Sequence, residues 1–397
     1  MNHPQRFSDL PEYAFPRLRT LLNGVEPGAP EIAMSIGEPR HAFPDFVTEI
    51  IARESAGFSR YPPNDGLPQL REAIADWVTA RYGLNGITPD SHVFPLNGTR
   101  EGLFNAAIAL CPEEKAGQRP AVLLPNPFYQ CYAVAALAAG AEPVYVSATA
   151  ATGFLPDFAS LDPALLDRTA IVYMCSPSNP QGATADAAYW QGLIALAERH
   201  DFRVFADECY SEIYRDTPPT GALETAQKMG VDPERVLIFH SLSKRSNLAG
   251  LRSGFAAGGP KTIAALKQLR NYAGAPLPLP LQHAAIAVWR DEAHVRESRA
   301  LYHEKFTLAD EILGNTPGYY SPEAGFFLWF RVPDGEAATL ALWREAGVRV
   351  LPGAYLSRDP ADGSTNPGKE FIRAALVAPA EEVRRGLTAI KDVLGRN

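Results

Sequence analysis

The chain contains few cysteines, and none of them is paired in sequence. Only four occur among 397 residues, and no two have the C-x-x-C spacing: Cys111, Cys131, Cys175 and Cys209. This scattered distribution argues against a disulfide framework and against a zinc site built on cysteine pairs. It is typical of buried thiols in a reducing compartment, so we expect a cytoplasmic protein.

Long hydrophobic runs and an excess of basic residues are also missing. The apolar stretch 133–141 is far too short to cross a bilayer, and no apolar core follows residues 1–6, so no signal peptide is predicted. The 37 basic and 45 acidic residues give a net charge of −8. Non-specific nucleic-acid binding requires a basic face. We therefore expect neither a membrane nor a nucleic-acid partner, although a local basic pocket for an acidic substrate stays compatible with this charge.

The chain does contain the alternating pattern of a large α/β enzyme. At 397 residues it exceeds one ordinary domain, so we expect two. Helix-like and β-rich segments alternate between about residues 67 and 260, which predicts a mostly parallel sheet flanked by helices. The predicted strands include 121–124, 143–146, 170–175, 202–206, 236–239 and 253–258. One long helix over 289–313 is then predicted to lead into a smaller α+β unit.

The most informative residue is Lys244, in the sequence HSLSKRSNLAGLR that spans 240–252. Ser241 and Ser243 precede the lysine, and Arg252 follows it eight positions later. Hydroxyls and guanidinium groups bind phosphate, and a lysine beside an anion site can form a Schiff base with an aldehyde. Pyridoxal 5′-phosphate (PLP) carries a phosphate and an aldehyde on one ring. The alternative is a solvated basic loop between a strand and a helix.

Two upstream segments supply the other groups that a PLP ring requires. The predicted strand 170–175 runs into a turn that contains Asn179, and 202–206 ends at Asp207, shortly before Tyr210. A carboxylate at this end of a buried strand lies where open α/β sheets bind ligands, and it can keep the ring nitrogen protonated. Asn179 and Tyr210 can hydrogen-bond the ring hydroxyl. Each residue alone also suits a turn, a helix cap or a core aromatic, but their order with Lys244 favours a PLP site.

Together these motifs resemble those of fold-type I PLP enzymes in the class I/II aminotransferase family, from about residue 35 to the C-terminus. Within the family, the segments NGTREGLF (97–104), SLSKRSN (241–247) and SIGEPRH (35–41) resemble N-succinyldiaminopimelate aminotransferases. The resemblance implies a large PLP-binding domain over 46–284. It also implies a small domain made from 1–45, which includes an N-terminal arm, and 285–397.

A phosphate site is expected at the start of the helix that begins near Gly98, Thr99 and Arg100. Free N–H groups and the helix dipole favour an anion there, although a Gly-Thr pair can equally be only a helix cap. The resemblance implies that this is the cofactor-phosphate loop. It also implies that three further residues complete the cradle, of which the arginine can bind two phosphate oxygens at once: Ser241, Ser243 and Arg252.

Two tyrosines receive cofactor roles from the resemblance. Tyr129 matches an aromatic that stacks on the pyridine face, although it could be a core residue, and Phe128 or Tyr132 could be confused with it. Tyr61, in the segment RYPPNDG (60–66), matches a tyrosine that reaches the phosphate of a neighbouring subunit. This implies a homodimer with shared active sites.

Arg373 lies inside the apolar segment 371–376, and a buried arginine is unusual unless it is paired. The resemblance implies that it binds the substrate α-carboxylate in a bidentate fork, near Gly37, where a side chain would block the approach. An internal salt bridge is the competing explanation. For a distal substrate carboxylate we hypothesise Arg40 or Arg17, either of which could instead be a solvated surface arginine.

The resemblance implies that Lys244, Asp207 and Tyr210 carry the catalysis, with Lys244 as general base at the α-carbon. We predict a ping-pong aminotransferase that acts on N-succinyl-LL-2,6-diaminopimelate and 2-oxoglutarate in lysine biosynthesis. An aminotransferase for aspartate, alanine or aromatic amino acids, or a PLP lyase, would share these residues. A non-catalytic effector-binding domain is disfavoured because the motifs begin near residue 35. A metal site is not expected, since no histidine pair has ligand spacing.

Overall fold

A seven-stranded sheet forms the centre of the protein in the computed structural model, which describes residues 5–8 and 10–395. Its strands lie in the order β2-β8-β7-β6-β5-β3-β4, and smaller sheets pair β1 with β10 and order β11-β12-β9. The strands are β1 Ile32–Ala33, β2 Val93–Leu96, β3 Ala121–Asn126, β4 Glu142–Ser147, β5 Thr169–Cys175, β6 Arg203–Asp207, β7 Val236–Ser241, β8 Gly254–Gly258, β9 Phe327–Arg331, β10 Val348–Arg349, β11 Leu351–Pro352 and β12 Phe371–Ala375.

Helices cover these sheets. They are α1 Ala14–Leu22, α2 Phe46–Arg53, α3 Pro68–Tyr82, α4 Pro89–His92, α5 Thr99–Leu110, α6 Gln130–Ala138, α7 Pro163–Asp167, α8 Ala187–His200, α9 Ala222–Met229, α10 Leu242–Arg245, α11 Pro260–Arg270, α12 Leu279–Arg290, α13 Ala293–Leu313, α14 Gly335–Ala346 and α15 Ala380–Leu394. Within the described ranges, no helix is both long enough and apolar enough to cross a membrane.

The predicted mostly parallel α/β fold is confirmed. In the large sheet only β8 runs against its neighbours, β2 and β7. Successive residues of β7 face opposite sides, because strand side chains alternate. Val236 and Ile238 join one apolar cluster, whereas Leu237 and Phe239 join another. Helices therefore cover both faces of the sheet. The carboxyl ends of the parallel strands all lie along one edge of it.

The three-stranded sheet is antiparallel and packs with the C-terminal helices. Its apolar cluster also takes in Ile32 and Met34, and β1 pairs in parallel with β10. The N-terminal segment is thereby joined to the C-terminal part of the chain. The division at residues 46 and 285 stays a prediction.

One predicted helix is wrong. The segment 289–313 is not a single helix, because α12 ends at Arg290 and α13 begins at Ala293. The Asp291 carboxylate accepts a hydrogen bond from the backbone N–H of His294, at 3.1 Å. This is how an aspartate starts a helix, and it competes with continuation of the preceding one. The sequence shows no proline or glycine there to announce the break.

Candidate active site

A cavity of about 300 Å³ opens beyond the carboxyl ends of β5, β6 and β7. Open α/β sheets bind ligands at this edge. The cavity brings together most of the residues that the sequence singled out, from elements far apart in the chain: Gly37, Thr99, Arg100, Tyr129, Asn179, Asp207, Tyr210, Ser241, Ser243, Lys244, Arg252 and Arg373.

Lys244 lies on the short helix α10, which starts where the Ser241 hydroxyl oxygen accepts the backbone N–H of Ser243 at 3.0 Å. Its Nζ donates a 2.5 Å hydrogen bond to the carbonyl oxygen of Gly37. Burial lowers the pKa of Lys244 to about 8, and the Arg373 guanidinium also lowers it. A substantial fraction of this amine is therefore neutral at slightly alkaline pH, as a nucleophile or general base requires.

Asp207 ends β6 with its buried carboxylate on the cavity wall. Oδ2 accepts the Tyr132 hydroxyl at 2.6 Å, and Oδ1 accepts the backbone N–H of Cys209 at 3.3 Å. Hydrogen bonds to an ionised carboxylate stabilise its charge. The sequence assigned no role to Tyr132. The signal was its position three residues after Tyr129, which places both at the first turn of α6.

An anion cradle forms where α5 begins. Gly98 precedes the helix with φ of 82°, and a Cβ there would collide with the Arg252 guanidinium. Only glycine suits both the backbone angle and this close approach. The N–H groups at the start of α5 and the guanidinium are suitable ligands for a phosphate, and Thr99, Ser241 and Ser243 line the same cavity as Arg252.

Arg373 lies on β12, is only 4% exposed, and forms no ion pair with any described residue. Its Nη2 donates to the Ser35 carbonyl at 2.7 Å and its Nη1 to Asn179 Oδ1 at 3.1 Å, while Nε is buried without a partner. Burial lowers its pKa to about 10. An internal salt bridge is therefore not what holds this arginine, and the guanidinium is left available for a substrate anion.

Aromatic rings complete the wall. The Arg373 guanidinium carbon lies 4.2 Å from the centroid of the Phe327 ring, and a Cβ on Gly37 would collide with that same ring. The Tyr210 ring centroid is 6.0 Å from the Lys244 Nζ, and burial raises the pKa of Tyr210 well above its usual value, so it stays a protonated donor. The Tyr129 hydroxyl accepts the Nε–H of Arg100 at 2.6 Å.

Four of the residues that the sequence suggested for the site do not line the cavity. Gly98 lies directly behind it, against Arg252. Arg40 is paired with Glu382 at 2.8 Å, and Tyr61 is fully exposed at the surface of the protomer. Arg17, the other candidate for a distal carboxylate, stacks 3.8 Å from the centre of the Tyr355 ring. The structure therefore does not bring Arg40 or Arg17 to the cavity.

Residues from α1 and its N-terminal flank do reach the cavity, although no sequence motif marks them. Tyr13, Ala14 and Phe15 line it together with Leu356. Ala14 belongs to a small apolar cluster with Leu351, which fixes the helix against the C-terminal part of the chain. These contacts depend on the tertiary fold, so local sequence could not reveal them.

The residues present fit PLP. An amine of lowered pKa that forms no ion pair with any described residue, a hydrogen-bonded carboxylate and a helix-terminal anion cradle all face one cavity. The fold and the site define a fold-type I PLP-dependent aminotransferase. The chain belongs to the aminotransferase class I and II family, whose model matches residues 29–390.

Known proteins similar to the chain agree with this assignment. It is 32% identical to an LL-diaminopimelate aminotransferase of Dehalococcoides mccartyi, over 99% of both chains. An aminotransferase of Neisseria meningitidis superposes with a TM-score of 0.93 at 37% identity, covering 98% of this chain and 99% of that one. A probable N-succinyldiaminopimelate aminotransferase of Thermus thermophilus superposes with a TM-score of 0.83 at 26% identity, covering 96% and 100%. The protein is therefore a PLP-dependent aminotransferase.

Proposed function

We propose that the enzyme transfers an amino group between N-succinyl-LL-2,6-diaminopimelate and 2-oxoglutarate, in lysine biosynthesis. One observation carries the proposal. Three arginines line the cavity, and none of them has an acidic partner among the described residues: Arg100, Arg252 and Arg373. Three anions need such partners, namely the cofactor phosphate, the substrate α-carboxylate and a distal carboxylate.

Each arginine suits one of these anions. Arg252 adjoins the N-terminus of α5 and suits the phosphate. Arg373 is the buried fork for the α-carboxylate. Arg100 is exposed and held through Nε by Tyr129, and neither of its Nη groups has a hydrogen-bond partner among the residues that the structure describes, so both can donate to the distal carboxylate. Arg100, which the sequence led us to expect in the cofactor-phosphate loop, thus takes the role that we had hypothesised for Arg40 or Arg17.

The scarcity of acidic side chains in the cavity favours the succinylated donor over free LL-diaminopimelate. The free compound carries an ammonium group at its distal end, which calls for an anionic partner. Asp207 is the one acidic side chain lining the cavity within the described residues, and its Oδ2 already accepts a hydrogen bond from Tyr132. A succinyl group removes that positive charge and adds a carboxylate. Free LL-diaminopimelate is the second candidate, because the curated relatives are named for it.

The residues of the chain then have distinct tasks. PLP supplies an aldehyde that captures amino groups and a protonated ring that withdraws electrons from the α-carbon. Arg373 and Asn179 orient the α-carboxylate, and Lys244 moves the proton at the α-carbon. With PLP bound, the Asp207 carboxylate, supported by Tyr132, would stabilise the positive charge of the protonated ring. Because amino donor and oxo-acid acceptor use the same groups in turn, the kinetics are ping-pong.

We also propose a homodimer with shared active sites. Tyr61 is fully exposed on the isolated protomer and lies outside its cavity, as expected for a residue that acts in a neighbouring site. Mixing a Lys244→Ala protomer with a Tyr61→Phe protomer should restore activity if each site takes a tyrosine from its neighbour. Equal activity of Tyr61→Phe and wild type would remove this role.

The donor is tested by the visible absorption of the PLP-loaded enzyme. Separate samples receive N-succinyl-LL-diaminopimelate, LL-diaminopimelate, aspartate, alanine or an aromatic amino acid, and a second oxo acid then regenerates the starting spectrum. We expect the succinylated donor to bleach the band at the lowest concentration, and 2-oxoglutarate to restore it. Bleaching by any other donor at a lower concentration than the succinylated donor requires would overturn the assignment. The Lys244→Ala variant serves as the control that shows no turnover.

A further inference from the structure

Lys305 is a buried lysine that forms no ion pair with any described residue. It lies on α13, is 1% exposed, and its Nζ is 2.6 Å from Nε2 of His41. Burial lowers the pKa of Lys305 to about 7, and burial together with Lys305 lowers that of His41 to about 4. Burying an amine is costly, and a single hydrogen bond offsets little of that cost. Such a residue calls for a functional explanation.

The groups around the pair connect it to the active site. The His41 ring lies 4.6 Å from that of Tyr302, and the Tyr302 ring stacks on Phe326 at 5.6 Å. Phe326 in turn lies 5.4 Å from the Nζ of Lys244. The charged groups that influence Lys305 are Glu304 on its own helix and Arg40 from the facing segment. His41 Nδ1 and the Tyr302 hydroxyl are buried without a partner.

His41 ends an irregular segment, 35–41, whose backbone carbonyls accept hydrogen bonds from two residues of the active site. The Ser35 carbonyl accepts Arg373 at 2.7 Å, and the Gly37 carbonyl accepts Lys244 at 2.5 Å. Among the described residues, no backbone-to-backbone hydrogen bond fixes 35–43. Side chains must therefore fix this segment. The Arg40 ion pair and the 3.2 Å hydrogen bond from Asn247 Nδ2 to the Ala42 carbonyl both lie at exposed positions, where such contacts contribute little, so the part-buried bond between His41 and Lys305 is the stronger anchor.

We propose that Lys305 is a positioning residue, which holds segment 35–41 through His41 and thereby places the two carbonyls that orient Lys244 and Arg373. A methionine would fill the same space but could not make the bond. The active site would then lose the alignment of its lysine while the apolar packing of α13 stays intact. This inference concerns the chain's own lysine, so it does not depend on which amino donor is used.

The test measures covalent capture of PLP by the apoenzyme, followed by visible absorption, and thermal unfolding of the same samples at pH 8.5. We expect Lys305→Met to capture PLP roughly tenfold more slowly, because displacement of a reacting group is costly. Its unfolding temperature should equal or exceed that of the wild type, since a buried amine has been replaced by an apolar group. Lys267→Met, a lysine on α11 bonded to the Asp90 carbonyl, is the control and should match the wild type in capture.

Variants of His41 separate positioning from packing. His41→Gln keeps a hydrogen-bond acceptor and should retain near wild-type capture, whereas His41→Leu should be as slow as Lys305→Met. The double variant Lys305→Met with His41→Leu should be no slower than either single change, because both remove one bond. Unchanged capture in Lys305→Met, or slow capture that comes with a lowered unfolding temperature, would overturn the proposal. So would independent, multiplying effects of the two changes.

Discussion

Arg373 and Asn179 are in direct contact across the cavity, with Nη1 of the arginine donating to Oδ1 of the asparagine at 3.1 Å. Arg373 belongs to the small antiparallel sheet, and Asn179 follows β5 of the large sheet. The contact joins a group expected to bind the substrate carboxylate to a group expected beside the cofactor. If both groups act as expected, this contact would fix the position of the substrate anion relative to the PLP ring.

Replacing Arg373 by lysine should weaken substrate binding severely. Lysine keeps the positive charge but loses the planar fork that binds two carboxylate oxygens and contacts Asn179. We expect kcat/KM to fall by about 100-fold for donor and acceptor alike, consistent with charge-assisted bonds of about 1.5–3 kcal/mol. Arg331→Lys, at an exposed ion pair on β9, is the control and should leave steady-state kinetics unchanged. A mild effect of Arg373→Lys would remove Arg373 from the α-carboxylate site.

Arg100→Gln should discriminate between substrates with and without a distal carboxylate. We expect the donor concentration for half-maximal bleaching to rise about tenfold for glutamate and to stay unchanged for norvaline, which lacks that carboxylate, because one charge-assisted contact is lost. Arg40→Gln is the matched control, since Arg40 is paired with Glu382 outside the cavity. The assignment fails if both donors are affected equally, or if Arg40→Gln shows the selective loss instead.

Tyr132→Phe should weaken cofactor binding without changing the fold. The change removes the 2.6 Å hydrogen bond to Asp207 Oδ2, so the buried carboxylate loses part of its charge stabilisation. We expect the dissociation constant for PLP to rise by about tenfold, measured by fluorescence titration of the apoenzyme. Tyr173 stacks on Tyr132, but its buried hydroxyl donates to the Leu103 carbonyl and not to Asp207. Tyr173→Phe therefore removes a buried hydroxyl without touching Asp207. That control should bind PLP normally, and equal loss in both variants would contradict a specific role for Tyr132.

The capture of PLP should depend on pH with a midpoint near 8. Only the neutral amine attacks an aldehyde, and burial lowers the pKa of Lys244 from 10.5 to about 8. The rate should therefore rise with pH up to about 8 and change little above it, whereas an ordinary lysine would keep accelerating to above 10. Stopped-flow absorption of the apoenzyme across pH 6.5–10 provides the measurement. A continued rise toward pH 10 would show that the amine is not perturbed.

The sequence predicted those parts of the molecule that depend on local pattern. The parallel strands are buried on both faces, so their sequences are apolar runs that can be recognised. Lys244, Asp207 and Asn179 follow the carboxyl ends of three such strands, and the topology of a parallel sheet predicts that these three side chains lie close together. The break before Ala293 was missed because a side-chain cap, and not a proline or glycine, produces it.

Other features arise only from packing between distant segments. The buried Lys305 looks like a surface residue on an amphipathic helix until His41 is brought against it. Arg40 looked suited to a substrate carboxylate, and Glu382, more than 300 residues later, occupies its guanidinium. The position of Tyr132 after Tyr129 marked it as a candidate, but its bond to Asp207 became evident only when the fold brought the start of α6 to the end of β6.

The most direct measurement is to treat the PLP-loaded enzyme with sodium borohydride and map the modified residue by peptide mass spectrometry. Reduction makes the bond between the cofactor and its lysine permanent. We predict a single phosphopyridoxyl group, on Lys244, and none in the Lys244→Ala variant. Modification of another lysine, or a stable PLP complex in which borohydride marks no lysine, would contradict the assignment of the active site.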